Sequence, residues 1–249
     1  MPDFSTATVL ITGASSGIGA ATARLLQDRG AALILMDRDA AGLEAFSGAR
    51  TLIGDVADPD LWAKADLTGL THAVLNAGIV GGSGRAEIAD LDFAVWRQVM
   101  ATNLDGSLLS LRAAMRVLRD GGRGGSIVLT ASAAGIKVQA GVAPYATSKA
   151  AIIYLARLAA CEGAPHRIRV NAIAPAGVET PIWTNLPFFD ELAEQQGGEA
   201  GAFAQLGATI PFGRFAKAEE IAGQIAFLLS DQAGTITGTC LVSDGGYSF

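Results

Sequence analysis

The stretch "TVLITGASSGIGAA", Thr8 to Ala21, decides the fold. It opens with five β-branched or apolar residues suited to a buried strand, then passes through glycines at 13, 17 and 19 into a helical run. Glycines at a strand-to-helix turn let backbone come close to a pyrophosphate. The helix start adds unpaired N–H groups and a partial positive charge. The spacing is G-x-x-x-G-x-G rather than the G-x-G-x-x-G of the commoner dinucleotide fingerprint.

Outward from this turn, short apolar runs recur at 8–12, 32–36, 50–54, 71–76, 126–130, 168–173 and 238–244. Most are continuous rather than alternating, the pattern of strands covered on both faces, so a parallel sheet is expected. Helical patterns fall between them near 17–29, 40–47, 58–66, 92–119, 145–162 and 218–230. With no composition break, linker or repeat, the expectation is an α/β chain of one doubly wound domain over 1–249. Its seven-stranded sheet should be mostly parallel, with helices on both faces. One interval breaks the rhythm: 180–212 carries no strand and is longer than a connection needs, so it is read as a lid or substrate loop.

Half of the 249 residues are hydrophobic and 17% are charged, with 31 glycines, which excludes a disordered chain and allows a large core. A net charge of −6 argues against a nucleic-acid surface. Cys161, Cys240, His72 and His166 have no metal-ligand spacing; buried reduced thiols and no metal are expected. The start of the chain has no basic, signal-like segment, and no apolar run is long enough to span a bilayer. The expectation is a soluble cytoplasmic protein without membrane contact.

The second strand ends in "LMDRD", placing Asp37 18 residues beyond Gly19, about where a carboxylate meets adenosine ribose hydroxyls. It would repel a 2′-phosphate: at about 4 Å and an effective dielectric of about 20, the raw repulsion is on the order of 4 kcal/mol per charge pair. Arg38 offsets some of this by pairing with a phosphate, and NAD is expected over NADP. "GDV" sets Asp55 to accept from the adenine amino group, beside Val56. "NAG" (Asn76, Ala77, Gly78) offers small residues against which a cofactor can lie.

"APYATSKAAI", Ala143 to Ile152, puts a phenol and an ammonium one helical turn apart on a face of otherwise small residues. With these residues the chain resembles the short-chain dehydrogenase/reductase family nearly end to end. The resemblance rests on Thr12-Gly13-x-x-x-Gly17-Ile18-Gly19, Asn76-Ala77-Gly78, Asn103, Ser132, Tyr145-x-x-x-Lys149, Pro175 with Thr180, and Asp244-Gly245-Gly246, in family order and spacing.

The resemblance implies a Rossmann-type fold binding a nicotinamide dinucleotide. Gly13, Ser15, Ser16, Gly17, Ile18 and Gly19 would cradle the phosphates, and Pro175, Gly177, Val178 and Thr180 would flank the nicotinamide. Tyr145 would be the general acid/base, and Lys149 would lower its pKa while holding the nicotinamide ribose. Bringing a tyrosine from near 10 to about 7 takes on the order of 4 kcal/mol of phenolate stabilisation. Ser132 would bind the substrate oxygen, and Asn103 would hold a water linking Lys149 to solvent. Ala176 departs from the glycine usual after Pro175, adding a methyl near the nicotinamide. The family's dimer helices correspond to the alanine-rich 92–119 and 145–162, and a homodimer or homotetramer is expected.

For the substrate, the lid offers Trp183, Phe188 and Phe189, and the 133–143 loop offers Gln139. The lid has no Lys or Arg but carries Asp190, Glu191, Glu194 and Glu199; Lys137 is the only cation of the loop. The expected substrate is a neutral, largely apolar secondary alcohol or ketone, with cyclic and aromatic forms in view. Two rivals stay open: an NADPH-dependent 3-oxoacyl-carrier-protein reductase, and a nucleotide sensor that keeps the fold without the chemistry.

Overall fold

The computed structural model describes residues 2–82 and 85–249. The apolar runs form seven strands: β1 (Thr8–Thr12), β2 (Ala32–Asp37), β3 (Arg50–Ile53), β4 (His72–Leu75), β5 (Gly125–Thr130), β6 (Ile168–Pro175) and, after the lid, β9 (Cys240–Ser243). They build one sheet in the order β3-β2-β1-β4-β5-β6-β9. All its pairings are parallel, more uniform than expected. A short second sheet pairs β7 (Val178–Glu179) with β8 (Ala216–Lys217).

Alternation along each strand feeds two cores. Leu10, Ile34, Met36 and Leu75 face α3 (Pro59–Lys64), α5 (Gly106–Gly121) and α6 (Ala143–Gly163), through Trp62, Leu111, Leu118 and Ile152. Val9, Ile11, Leu35 and Val74 face α1 (Gly17–Asp28) and α10 (Ala218–Leu229), through Ala23, Leu26, Ile221 and Ile225. Strand order reverses between β1 and β4, and the crevice outside the strand ends at this switch point is where ligands bind in such sheets.

Three expectations need correction. The helix read over 92–119 is α4 (Phe93–Met100) and α5 joined by a π-helical turn, Ala101–Asp105. The helix read over 40–47 is a single turn, α2 (Ala40–Leu43), ending before Phe46 tucks into the core. Cys161 is exposed, because it falls on the outer face of α6. Among the described residues no helix is long and apolar enough to cross a membrane.

Between β7 and β8 lie α7 (Pro181–Thr184), α8 (Pro187–Gln195) and α9 (Glu199–Gly207). They have their own core of Phe189, Ala202, Phe203, Ile210 and Phe215.

Candidate active site

A cleft of about 780 Å³ opens at the switch point, running from the glycine turn to the lid. At its floor, Thr12 Oγ1 accepts from the N–H groups of Asn76 (2.9 Å) and Ala77 (3.1 Å), locking the ends of β1 and β4 together. Asn76 Nδ2 donates to the Gly13 carbonyl at 3.2 Å. Gly13 takes a left-handed conformation (φ 67°), and a Cβ there would stand 2.9 Å from Ala77 Cα. Gly19 does not line the cleft: a Cβ on it would collide with the Gly13 carbonyl oxygen, so its part is to let α1 approach the turn. Ser16, at the N-cap of α1, makes no side-chain capping bond and lines the cleft with Ser15, Gly17 and Ile18.

Asp37 closes β2 with both carboxylate oxygens engaged, accepting from Ser15 N (3.0 Å) and Asp39 N (3.1 Å). Arg38 lies 3.8 Å from Asp55, an exposed and weak ion pair that occupies the cation expected to serve a phosphate. Val56, Asn76, Ala77 and Gly78 line the same wall. Pro175, Gly177, Val178 and Thr180 line the far end, where Thr180 Cβ would lie 3.3 Å from a Cβ on Gly17. Gly177 is held open by Phe215, whose ring fills the space a Cβ would need, while Ala176 packs against the lid core.

The helix α6 carries Tyr145 and Lys149 on one face, as their spacing requires. Lys149 Nζ donates to the Thr130 carbonyl at 2.8 Å and lies 5.6 Å from the centre of the Tyr145 ring. Burial lowers the ammonium's pKa to about 8. Burial also raises the Tyr145 phenol above its ordinary 10, although the nearby Ser132 hydroxyl works in the opposite direction. In the protein alone, burial outweighs any lowering of the phenol by Lys149. The ammonium is spent on Thr130, and desolvation dominates at the hydroxyl. Ser132 Oγ accepts from Ala134 N at 3.2 Å and reaches the Pro175 carbonyl at 3.4 Å.

Asn103 is fully buried in the π-helical turn and does not line the cleft. Its Oδ1 accepts from Ile79 N (2.8 Å), and its Nδ2 donates to Ile79 O (2.9 Å) and Ser148 Oγ (3.0 Å). This side chain thus clamps the backbone after Gly78. Its position still bears on Lys149, since a Cβ on Gly78 would lie 3.2 Å from Lys149 Nζ and 3.4 Å from Asn103 Oδ1.

On the substrate side, Trp183, Phe188 and Gln139 line the cleft. Phe189 does not: it is 1% exposed and stacks on Phe203 at 4.9 Å, so it packs the lid rather than the ligand. The lid's four carboxylates all face solvent. Among the lining residues that escaped the sequence reading, three stand out. Thr130 Oγ1 is buried without a hydrogen-bond partner among the described residues. Tyr247 accepts from Lys137 Nζ at its carbonyl (2.6 Å), with that ammonium 4.4 Å from its ring centre. Arg85 enters from the segment after β4. No group of His, Cys and carboxylates among the described residues is arranged to hold a metal.

The residues present fit a dinucleotide: the glycine cradle cannot take side chains, a helix starts at it, and the buried Thr130 hydroxyl lacks a partner among the described residues. A family model described as enoyl-(acyl carrier protein) reductase matches residues 13–248. Cis-4-hydroxycyclohexanecarboxylate dehydrogenase of Sinomonas cyclohexanicum is 38% identical, over 98% of this chain and 98% of its own. The 2,5-dichloro-2,5-cyclohexadiene-1,4-diol dehydrogenase of Sphingobium indicum is 34% identical, over 100% and 99%. The crystal structure of levodione reductase superposes with a TM-score of 0.86 at 32% identity, covering 98% of each chain.

Proposed function

This chain belongs to the short-chain dehydrogenase/reductase family, and from that premise we propose that it interconverts a cyclic secondary alcohol and its ketone, with NAD rather than NADP as its redox partner. The alcohol/ketone class follows from the relatives. The ring, the cofactor preference and the acid/base residue are our reading. The observation that carries it is the convergence of Ser132, Tyr145 and Lys149 in one cleft that Trp183 and Phe188 also line.

A bound nicotinamide dinucleotide would supply the two-electron acceptor or donor. The chain does the rest. Tyr145 Oη takes the hydroxyl proton during oxidation and returns it during reduction. Ser132 Oγ donates to the substrate oxygen as charge gathers there. Lys149, fixed on Thr130, holds a positive charge one turn below the phenol. Asn103 keeps Ile79 and Ser148 in place and so steadies Gly78 beside that ammonium. Asp37 disfavours a 2′-phosphate, and Trp183 and Phe188 exclude water from the ring.

The named rings of three relatives, cyclohexane, cyclohexadiene and levodione, support a cyclic substrate with a largely apolar body. The oxoacyl-carrier reductase reading is weaker: Asp37 works against NADPH, and the exposed lid acids would repel an acidic carrier. The chain acts as one domain, as a homodimer or homotetramer. Leu108, Tyr154 and Leu158 on α5 and α6, and Phe212, Val242 and Phe249 near the C-terminus, are exposed apolar residues suited to contacts between copies.

The test is the initial rate of NAD reduction over a panel of cyclohexanols, hydroxycyclohexanecarboxylates, aryl carbinols and open-chain secondary alcohols, with NADP alongside. Turnover confined to the open-chain alcohols would overturn the ring assignment. Faster turnover with NADP would overturn the reading of Asp37.

A further inference from the structure

The cleft is lined by a cation that has no counterion among the described residues. Arg85 lines the cleft and has no hydrogen bond or ion pair among the described residues. The lid carboxylates are exposed and make no ion pair with it, and Lys137, the cation of the neighbouring loop, is held by Tyr247.

Its stem is placed by backbone. Ala86 N donates to the Gly141 carbonyl at 3.1 Å, tying the segment after β4 to the substrate loop four residues before Tyr145. Gly141 is left-handed (φ 84°), and a Cβ on it would lie 2.7, 3.3 and 3.4 Å from Arg85 Cβ, Cγ and Cδ. The three methylenes therefore lie along a glycine that leaves them room, and their path is set before any ligand arrives. The cleft that exposed Arg85 lines is also lined by Val142, Trp183 and Phe188, whose side chains suit a hydrocarbon ring.

We propose that Arg85 recognises a carboxylate carried on the ring of the substrate, so that the preferred alcohol is an anionic cyclic hydroxy acid. This rests on the ring-alcohol reading above and replaces its neutral form. A planar guanidinium matches a carboxylate through paired N–H···O bonds, and such a charge-assisted pair outweighs its neutral equivalent. Arg85 touches the substituent and not the reacting carbon; it selects the substrate and sets its orientation toward Tyr145.

Calorimetric titration of NAD-loaded protein with cyclohexanecarboxylate and with cyclohexanecarboxamide tests this directly. The acid should bind about tenfold or more tightly than the amide. Arg85→Gln should erase that preference, and Arg85→Lys should restore part of it. In turnover, the ratio of kcat/KM for a hydroxycyclohexanecarboxylate over cyclohexanol should fall by a similar factor in Arg85→Gln, through KM. An acid that binds no better than the amide, a preference that survives in Arg85→Gln, or a loss confined to NAD affinity would each overturn the proposal. Acid binding through Arg85 with neither ring alcohol oxidised would uphold Arg85 and overturn the ring-alcohol function. Oxidation of cyclohexanol without preference for the acid would do the reverse.

Discussion

Lys149 and Thr130 are joined by a 2.8 Å hydrogen bond from a buried ammonium to the main-chain carbonyl that ends β5. The bond fixes a charge at the foot of the cleft without a carboxylate to balance it. Burial lowers its pKa from 10.5 to about 8. Between those values the folded state binds fewer protons than the unfolded one. The penalty is thus fully present below about pH 8 and is relieved as pH rises toward 10.5, an effect on the order of 3 kcal/mol. Lys149→Met should therefore melt no lower than the parent at pH 7, with the difference narrowing by pH 10, while turnover falls at least about a hundredfold. A Tm several degrees below the parent at pH 7 would show that the ammonium stabilises the fold instead.

Tyr145 is raised above pKa 10 by burial, so the free protein keeps the phenol protonated across the physiological range. Ultraviolet difference titration of the parent against Tyr145→Phe should place this ionisation above 10. The variant should retain NAD binding and lose about a hundredfold or more in kcat, the usual size of a missing acid/base. A phenol titrating near 7 in the free protein would mean that Lys149 tunes it unaided.

Replacement of Asp37 by Ala should shift the NAD-to-NADP ratio of kcat/KM toward NADP by about tenfold or more, since it removes a carboxylate repulsion that salt only partly screens. The same change frees Ser15 N, so NAD affinity should also fall. An unchanged ratio would place cofactor choice elsewhere, with Arg38 next in line.

Gly19→Ala drives a methyl into the Gly13 carbonyl. The turn or α1 must move, at a cost of about 1–3 kcal/mol typical of overpacking. Thermal melting should show the loss of stability, and fluorescence titration a loss of dinucleotide binding. Gly48→Ala is the contrast: nothing lies within 4 Å of its added methyl, so its cost is confined to backbone strain at φ 79° and leaves the cradle intact.

Phe189→Ala removes the largest fully buried side chain of the lid and should cost about 3–5 kcal/mol locally. Hydrogen exchange should show early opening of α8 and α9 with the sheet still protected. Trp183→Ala, at the cleft wall, should raise KM for ring substrates with a smaller effect on melting. Equal effects of the two on KM would mean that Phe189 also reaches the ligand.

The sheet was legible because parallel strands buried on both faces must be continuous apolar runs, and such runs stand out whatever surrounds them. The Tyr145–Lys149 pair was legible because a helix fixes which residues share a face. What escaped depends on contacts distant in sequence. The π-helical turn at Ala101–Asp105 follows from Asn103 gripping Ile79 and Ser148, and no periodicity reveals that. Phe188 and Phe189 are adjacent and chemically equal, yet only the fold of α8 against α9 decides which faces the cleft. Arg85 lies in an aperiodic stretch, and its partner glycine is more than fifty residues away. The burial that raises the Tyr145 phenol was hidden because spacing shows the neighbouring charge but not its depth.

The lid core of Phe189, Ala202, Phe203, Ile210 and Phe215 shares no buried residue with either core that flanks the sheet. Modularity follows. Sequence drift within the lid can reshape the ligand chamber without loosening the β1–β4 junction or the Lys149–Thr130 bond. The Tyr145–Lys149 end of the cleft and the shape of the chamber can therefore vary as separate traits, and a new chamber shape needs no rebuilding of the frame.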